Sequence, residues 1–296
     1  MKRTILVRLA AGFLLLAGAW EAYTHPQGKQ AAAQTKAPAP FNLIKVTDDL
    51  DVIEGGGAGN VAVYITNEGV IMVDDKFEQN FDEVMANVKK VTNQPVKYIL
   101  STHYHADHSG GNTRWTSVAE IISTRNAHDG IVQHKQSNAP DNMVPARVTF
   151  TDETDIFLGG KEVRAKYYGR GHTNGDAFVY FPALKVVHTG DMFTSSTPLI
   201  DYPGGGSLVE WTKSLDAVMK DLDFDTVIPG HGPVSKKADL LAYRNRTETM
   251  RNRVQTLIRQ GKSQDEVAKF MTAEYNWQPG SLNMLWSLPG MMTELR

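Results

Sequence analysis

The chain has 296 residues, 41% of them hydrophobic and 22% charged, an ordinary balance for a globular protein with a real core. Its formal net charge is −2, which argues against the basic surface that polyanion-binding domains carry. There is no cysteine, so no disulfide staples the fold and thiolate is removed from the set of metal ligands. At the start of the chain, Lys2, Arg3 and Arg8 border the apolar run Leu9-Ala10-Ala11-Gly12-Phe13-Leu14-Leu15-Leu16-Ala17, which closes on Ala17-Gly18-Ala19. This pattern reads as a signal peptide over residues 1–19, with an uncleaved N-terminal anchor as the alternative. The run is shorter than the about 20 residues of a membrane span. The protein is therefore expected to be exported, periplasmic or secreted, with no membrane span after cleavage. Without residues 1–19, 28 basic residues face 33 acidic ones and the net charge is −5, which makes nucleic acid a poor partner.

Residues 24–40 are rich in Ala, Gln and Pro and lack large apolar side chains. Residues 20–40 accordingly read as a disordered tether leading to a folded domain over 41–296. Residues 61–65 and 70–73 are β-branched runs split by Asn67-Glu68-Gly69, the pattern of a hairpin. Apolar residues at 81, 84, 85, 88 and 91 have helical spacing, and residues 96–100 form a buried strand running into Ser101-Thr102-His103. Helices are expected after Ser109 and near 127–136. Further strands are expected at 163–168, 177–181, 185–188 and 226–228, with helices at 208–222 and 237–259. Strands followed by helices, twice over, predict two β/α halves with sheets packed between helices.

The chemistry concentrates in His103-Tyr104-His105-Ala106-Asp107-His108. On a strand end, residues i and i+2 point the same way, so His103 and His105 can grip one ion. Asp107 and His108, past the turn, can face a second. Imidazole and carboxylate are the ligands zinc takes when thiolate is missing. His172 lies in Gly169-Arg170-Gly171-His172-Thr173-Asn174-Gly175-Asp176, Asp191 ends Val186-Val187-His188-Thr189-Gly190-Asp191, and His231 lies in Ile228-Pro229-Gly230-His231-Gly232-Pro233. Each is a polar residue in a loop beside an apolar strand, where α/β folds gather their ligands. His188 alternates within its strand and reads as a core residue.

The H-x-H-x-D-H element, followed in order by G-H-T-x-G-D, T-G-D and P-G-H-G, resembles the metallo-β-lactamase superfamily over about residues 45–235. The resemblance implies an α/β fold, a four-layer αβ/βα sandwich of two mixed sheets flanked by helices, with a two-metal site at the sheet edge. It places His103, His105 and His172 on a first zinc, Asp107, His108 and His231 on a second, and Asp191 between them. Asp74 matches an aspartate that supports the ligand loop from behind.

Two zinc ions about 3.5–4 Å apart would share a hydroxide that attacks a carbonyl, with Asp107 as the catalytic group that orients it and shuttles its proton. The expected substrate is a small molecule: a lactone, ester, thioester or β-lactam. Asp191 stands where many β-lactamases of the cysteine-ligand type carry a thiolate, and Thr194 stands where they commonly offer a lysine to the substrate carboxylate. Both departures point away from that branch. A true β-lactamase and a phosphodiesterase or nuclease on the same scaffold are the alternatives within hydrolases. A zinc-storage protein and a di-iron oxygen-binding site are the alternatives outside them. The segment 194–208 is expected to cross the cleft. The apolar stretch 277–291 is expected to pack on the domain and would also suit a homodimer contact. No substrate-binding residue is assigned.

Overall fold

The computed structural model describes residues 40–296, so the expected signal peptide and nearly all of the expected tether lie outside the described residues. A first, seven-stranded sheet has the order β1-β2-β3-β4-β5-β6-β7. Its strands are β1 (Asn42–Lys45), β2 (Leu50–Glu54), β3 (Val61–Ile65), β4 (Val70–Val73), β5 (Val96–Leu100), β6 (Glu120–Thr124) and β7 (Val148–Phe150). From β1 to β4 it is an antiparallel meander, and from β4 to β7 it is parallel. The second, six-stranded sheet comprises β8 (Glu153–Leu158), β9 (Lys161–Tyr167), β10 (Ala177–Phe181), β11 (Val186–His188), β12 (Thr226–Ile228) and β13 (Ser235–Lys236). Their order is β13-β12-β11-β10-β9-β8, with β11 and β12 parallel.

Period-2 alternation decides what each sheet face meets. Ala62 and Tyr64 of β3 join a core that also holds Val163, Val179 and Phe181 of the second sheet, so the two sheets pack face to face. Val61 and Val63 of the same strand turn outward onto Val84, Val88 and Trp115. These belong to α1 (Phe81–Val91) and to the one-turn α3 (Asn112–Trp115), which follows the one-turn α2 (Ala106–Ser109). A short α4 (Arg125–Val132) follows β6. On the far side, Phe178 and Val187 pack under Trp211, Leu215, Leu240, Met250 and Met271. These come from α5 (Leu208–Asp221), α6 (Lys237–Arg259) and α7 (Gln264–Tyr275), joined by α8 (Leu288–Glu294). Helix, sheet, sheet and helix make the four expected layers, and strands covered on both sides read as continuous apolar runs. Among the described residues, no helix is long and apolar enough to cross a membrane.

The helices carry their own end signals. Asp82 and Glu83 open α1 and Lys89 and Lys90 close it, complementing the helix dipole. The Ser207 hydroxyl accepts the Glu210 N–H to cap α5. Local chemistry also corrects two expectations. The helix after Ser109 is only one turn at Asn112–Trp115. The helix expected at 127–136 runs Arg125–Val132 instead, because the Thr124 hydroxyl caps it by accepting the Ala127 N–H.

Candidate metal centre

β5, β11 and β12 end on one edge of the sandwich, and the loop before antiparallel β10 reaches the same edge. The loop after β5 delivers His103 and His105 there, and the one-turn α2 that follows delivers Asp107 and His108. The loop before β10 adds His172, the turn after β11 adds Asp191, and the turn after β12 adds His231. All seven side chains converge. Three overlapping groups, His103–His105–His172, His103–His108–Asp191 and Asp107–His108–His231, each keep their ligand-type atoms within 4.8 Å of one another.

The separations suit zinc. Two ligands about 2.0–2.1 Å from a shared tetrahedral ion lie roughly 3.3 Å apart. Here His172 Nε2 is 2.9 Å from His105 Nδ1, and His108 Nε2 is 3.2 Å from His231 Nε2. Asp107 Oδ2 is 3.1 Å from His231 Nε2 and 3.5 Å from His108 Nε2. Asp191 faces both groups: its Oδ2 is 3.7 Å from His172 Nε2, and its Oδ1 is 3.2 Å from His108 Nε2 and 3.4 Å from His231 Nε2.

The outer ring nitrogens fix which inner ones carry lone pairs. His172 Nδ1 donates to the Leu199 carbonyl at 2.6 Å, and His105 Nε2 donates to Asp201 Oδ2 at 2.9 Å. His108 Nδ1 donates to Asp74 Oδ2 at 2.8 Å. The Thr102 hydroxyl donates to Asp74 and so accepts from His103 Nδ1 at 3.1 Å. With His108 neutral, four lone pairs therefore point into one buried space. His103 Nε2 and Asp191 Oδ1 lie there buried without a hydrogen-bond partner among the described residues. Unpaired acceptors facing each other are costly unless a cation stands among them, so the residues present fit a metal.

The electrostatics divide the site. Burial pushes His103 well below the usual imidazole value and His172 down to about 4, holding both in the neutral, ligating form. Burial also works against charge on His108 and His231, but Asp191 and Asp107 outweigh it. They raise His108 well above its usual value and His231 to about 9. The same carboxylates that attract a proton there would attract a metal ion. Glycines leave the room: a Cβ at Gly59 would collide with the His108 ring, and one at Gly230 with the Asp191 carboxylate.

Asp74 is fully buried at φ 61°. Besides His108 it accepts the Thr102 N–H at 2.7 Å, which ties the ligand loop to the end of β4. His188, also fully buried, is satisfied at both nitrogens by Gly190 N–H and the Asn60 carbonyl. Asp201 has no counterpart in the sequence reading. Its Oδ2 takes both the His105 N–H and the Tyr104 hydroxyl, while its Oδ1 accepts the Gly204 N–H at 2.9 Å. A cavity of about 370 Å³ opens over the centre. Thr194, Ser196, Thr197 and Leu199 line it, as the crossing segment 194–208 led one to expect. Leu282, Asn283 and Trp286 form another wall, with the Trp286 ring centroid 5.8 Å from that of His105. The stretch 277–291 does pack on the domain, through Trp277, Leu288 and Met291, but its role at the cavity carries no motif.

The chain belongs to the metallo-β-lactamase superfamily, whose family description it matches over residues 54–231, and it is a metal-dependent hydrolase. Among curated proteins it is 27% identical over 177 residues to the metallo-β-lactamase type 2 of Elizabethkingia meningoseptica, covering 59% of this chain and 69% of that protein. It is 24% identical over 194 residues to the type 2 enzyme of Bacillus cereus, covering 62% of this chain and 70% of that protein. Among solved structures, the DIM-1 metallo-β-lactamase superposes with TM-score 0.59 at 21% identity, over 71% of this chain and 99% of that one. FIM-1 from Pseudomonas aeruginosa, solved in a mono-zinc form, gives TM-score 0.61 at 16% identity, over 72% and 97%.

Proposed function

We propose that the protein is an exported zinc hydrolase that opens small carbonyl compounds, with lactones and esters favoured over β-lactams. His103, His105 and His172 would hold one zinc, Asp107, His108 and His231 a second, and Asp191 would contact both. The observation that carries this reading is the convergence of four imidazole lone pairs and two carboxylates on one buried space at the sandwich edge. Zinc bound there supplies hydroxide near neutral pH and a Lewis acid for the carbonyl oxygen. The chain's own groups do the rest. Asp107, its side chain 24% exposed at the cavity floor, is placed to orient the attacking water and carry its proton to the leaving group. Asp74 and Asp201 hold the ligand rings in position from behind.

Substrate preference follows from the lining. Among the described residues, no lysine or arginine lines the 370 Å³ cavity. Thr194, three residues past Asp191, offers a hydroxyl where a β-lactam carboxylate would gain from a charge-assisted bond. Leu199, Leu282 and Trp286 offer apolar surface to a neutral substrate instead. A β-lactamase is the second reading, favoured by the names of the relatives and by the exported character read from residues 1–19. Purified protein assayed against nitrocefin, an acyl-lactone, a thioester and a phosphodiester, each with and without chelator, separates the readings. Chelator-sensitive turnover of the lactone or ester, ahead of nitrocefin, is expected. A phosphodiester as the sole substrate, or turnover indifferent to chelation, would refute the proposal.

A further inference from the structure

Beside the metal cavity lies a second, larger cleft of about 810 Å³, within the size range of small-molecule sites, about 300–1,000 Å³. Apart from residues 195–198 on its near side, it is built on α6, the end of α7 and residues 276–283, beyond the family match at 54–231. Ser196, Thr197 and Asn283 line both spaces, so the two are neighbours across one wall. That wall is pinned from the cleft side, where Trp277 Nε1 donates to Thr197 Oγ1 at 2.8 Å.

The polar groups of this cleft are unusual. Tyr243 and Thr247, each 1% exposed, line it with hydroxyls that are buried and have no hydrogen-bond partner among the described residues, as does the Ser281 hydroxyl. The Tyr243 phenol comes near Thr194, on the metal cavity, without hydrogen-bond geometry. Buried polar groups are paired as a rule, so three exceptions around one space indicate a ligand that supplies the missing partners. Arg246 identifies its charge. On α6, Arg244 holds Asp216 and Glu248, Arg251 holds Glu248, and Arg253 holds Glu274. Arg246, at the cleft, has no ion-pair partner among the described residues and sits 5.8 Å from the Tyr243 ring centroid. Glu274, the acid that lines the same cleft, is engaged at 3.3 Å by Arg253. A guanidinium with only donors, beside hydroxyls that can donate, matches a carboxylate.

We infer that this cleft is a second subsite of the active site, where Arg246, Tyr243 and Thr247 bind the carboxylate end of a substrate whose scissile carbonyl lies at the metal cavity. The substrate is thus an ester, lactone or amide with an uncharged reacting end and an acid-ended arm. The inference rests on the carbonyl-hydrolase reading above, and it adds what the remote part of the substrate carries.

The test uses the zinc-loaded full chain and 4-nitrophenyl monoesters of linear dicarboxylic acids of increasing length, each compared with its methyl-capped counterpart. At the length that spans both spaces, the acid-ended ester should exceed the capped one in kcat/KM by about tenfold, the size of a partly exposed charge-assisted bond, and the difference should lie in KM. Arg246→Gln should bring that ratio to about one, and Tyr243→Phe should lower it. In parallel, the free dicarboxylate is titrated calorimetrically onto wild type and Arg246→Gln, with and without chelator. Binding weakened by Arg246→Gln in both states supports the subsite even if no ester is hydrolysed, in which case only the hydrolase reading fails. A ratio near one at every length, equal loss of both esters in Arg246→Gln, or dicarboxylate binding indifferent to that substitution overturns the inference.

Discussion

Asp201 shows how much of the centre depends on a residue that touches no metal position. By accepting the His105 Nε2 proton it leaves the Nδ1 lone pair facing His172. Without it, the ring is free to take the other tautomer or to turn. Asp201→Ala should therefore weaken zinc binding about 10–100-fold, read by competition with a chromogenic chelator, and unchanged affinity would remove Asp201 from the site. The seven converging residues, the proposed ligands, were legible because each sits in a short motif beside an apolar strand. Asp201 was not, because its contact with His105 spans 96 residues and its hydrogen bond to Gly204 gives it an ordinary turn reading. Lys76 is a second residue whose setting no motif announced. Fully buried, with Nζ donating to the carbonyls of Gly55 and Gly59 at 2.9 and 2.6 Å, it is lowered by burial from 10.5 to about 8. The folded protein gives up this proton near pH 8 and the unfolded chain near 10.5. The unfolded state thus binds more protons between those values, and this contribution to stability rises with pH across that window. Below about pH 8 the full cost of the buried charge is present. Comparing wild type with Lys76→Met by denaturant melts from pH 7 to 10 isolates it. The wild type should gain relative to the variant as pH rises, and parallel curves would contradict the assignment.

Among the elements, the helices were the easier part to read. α1, α5 and α6 each have an apolar face at 3.6-residue spacing and fall where the periodicity placed them. The strands β6, β7 and β8 did not stand out. β7 has only three residues, β7 and β8 lie at sheet edges, and β8 leaves Phe157 71% exposed, which blurs the alternation. The link between the C-terminal helix and the crossing segment also escaped the pattern. Glu294, near the end of α8, accepts the Tyr202 hydroxyl at 2.6 Å and the Leu208 N–H at 3.0 Å. It therefore places a carboxylate at the N-terminus of α5, where the dipole favours it. Ser287 adds a second tie, its hydroxyl accepting the Ile200 N–H at 2.8 Å and donating to the Ile200 carbonyl at 3.0 Å. Together they hold the segment that carries Asp201 against the wall that carries Trp286. Glu294→Ala should cost about 1–2 kcal/mol of stability, seen as a lower denaturation midpoint at constant m-value. A midpoint equal to wild type would mean the helix end is capped by other groups.

Across the whole molecule, the centre joins two sheets that elsewhere meet mainly through apolar packing, with Lys161 of β9 donating to the Ile65 carbonyl of β3 at 2.6 Å. His103, His105, Asp107 and His108 come from the first sheet, while His172, Asp191 and His231 come from the second. Each proposed ion is therefore held from both sides, and its binding free energy adds to the cohesion of the sandwich. At free zinc 100-fold above Kd, each site contributes about 2.7 kcal/mol, on the order of 5–10 °C in Tm for a domain of this size. Removal of metal should lower Tm by about that much per ion, and a chelator-insensitive melt would contradict the arrangement. The most direct measurement is native mass spectrometry of the metal-replete chain, paired with turnover, for wild type and for His103→Ala/Asp191→Ala. Two zinc ions per chain in wild type, with metal and hydrolysis both lost in the double variant, is the expected result. Fewer than one ion per folded chain, or full turnover in the variant, would contradict it.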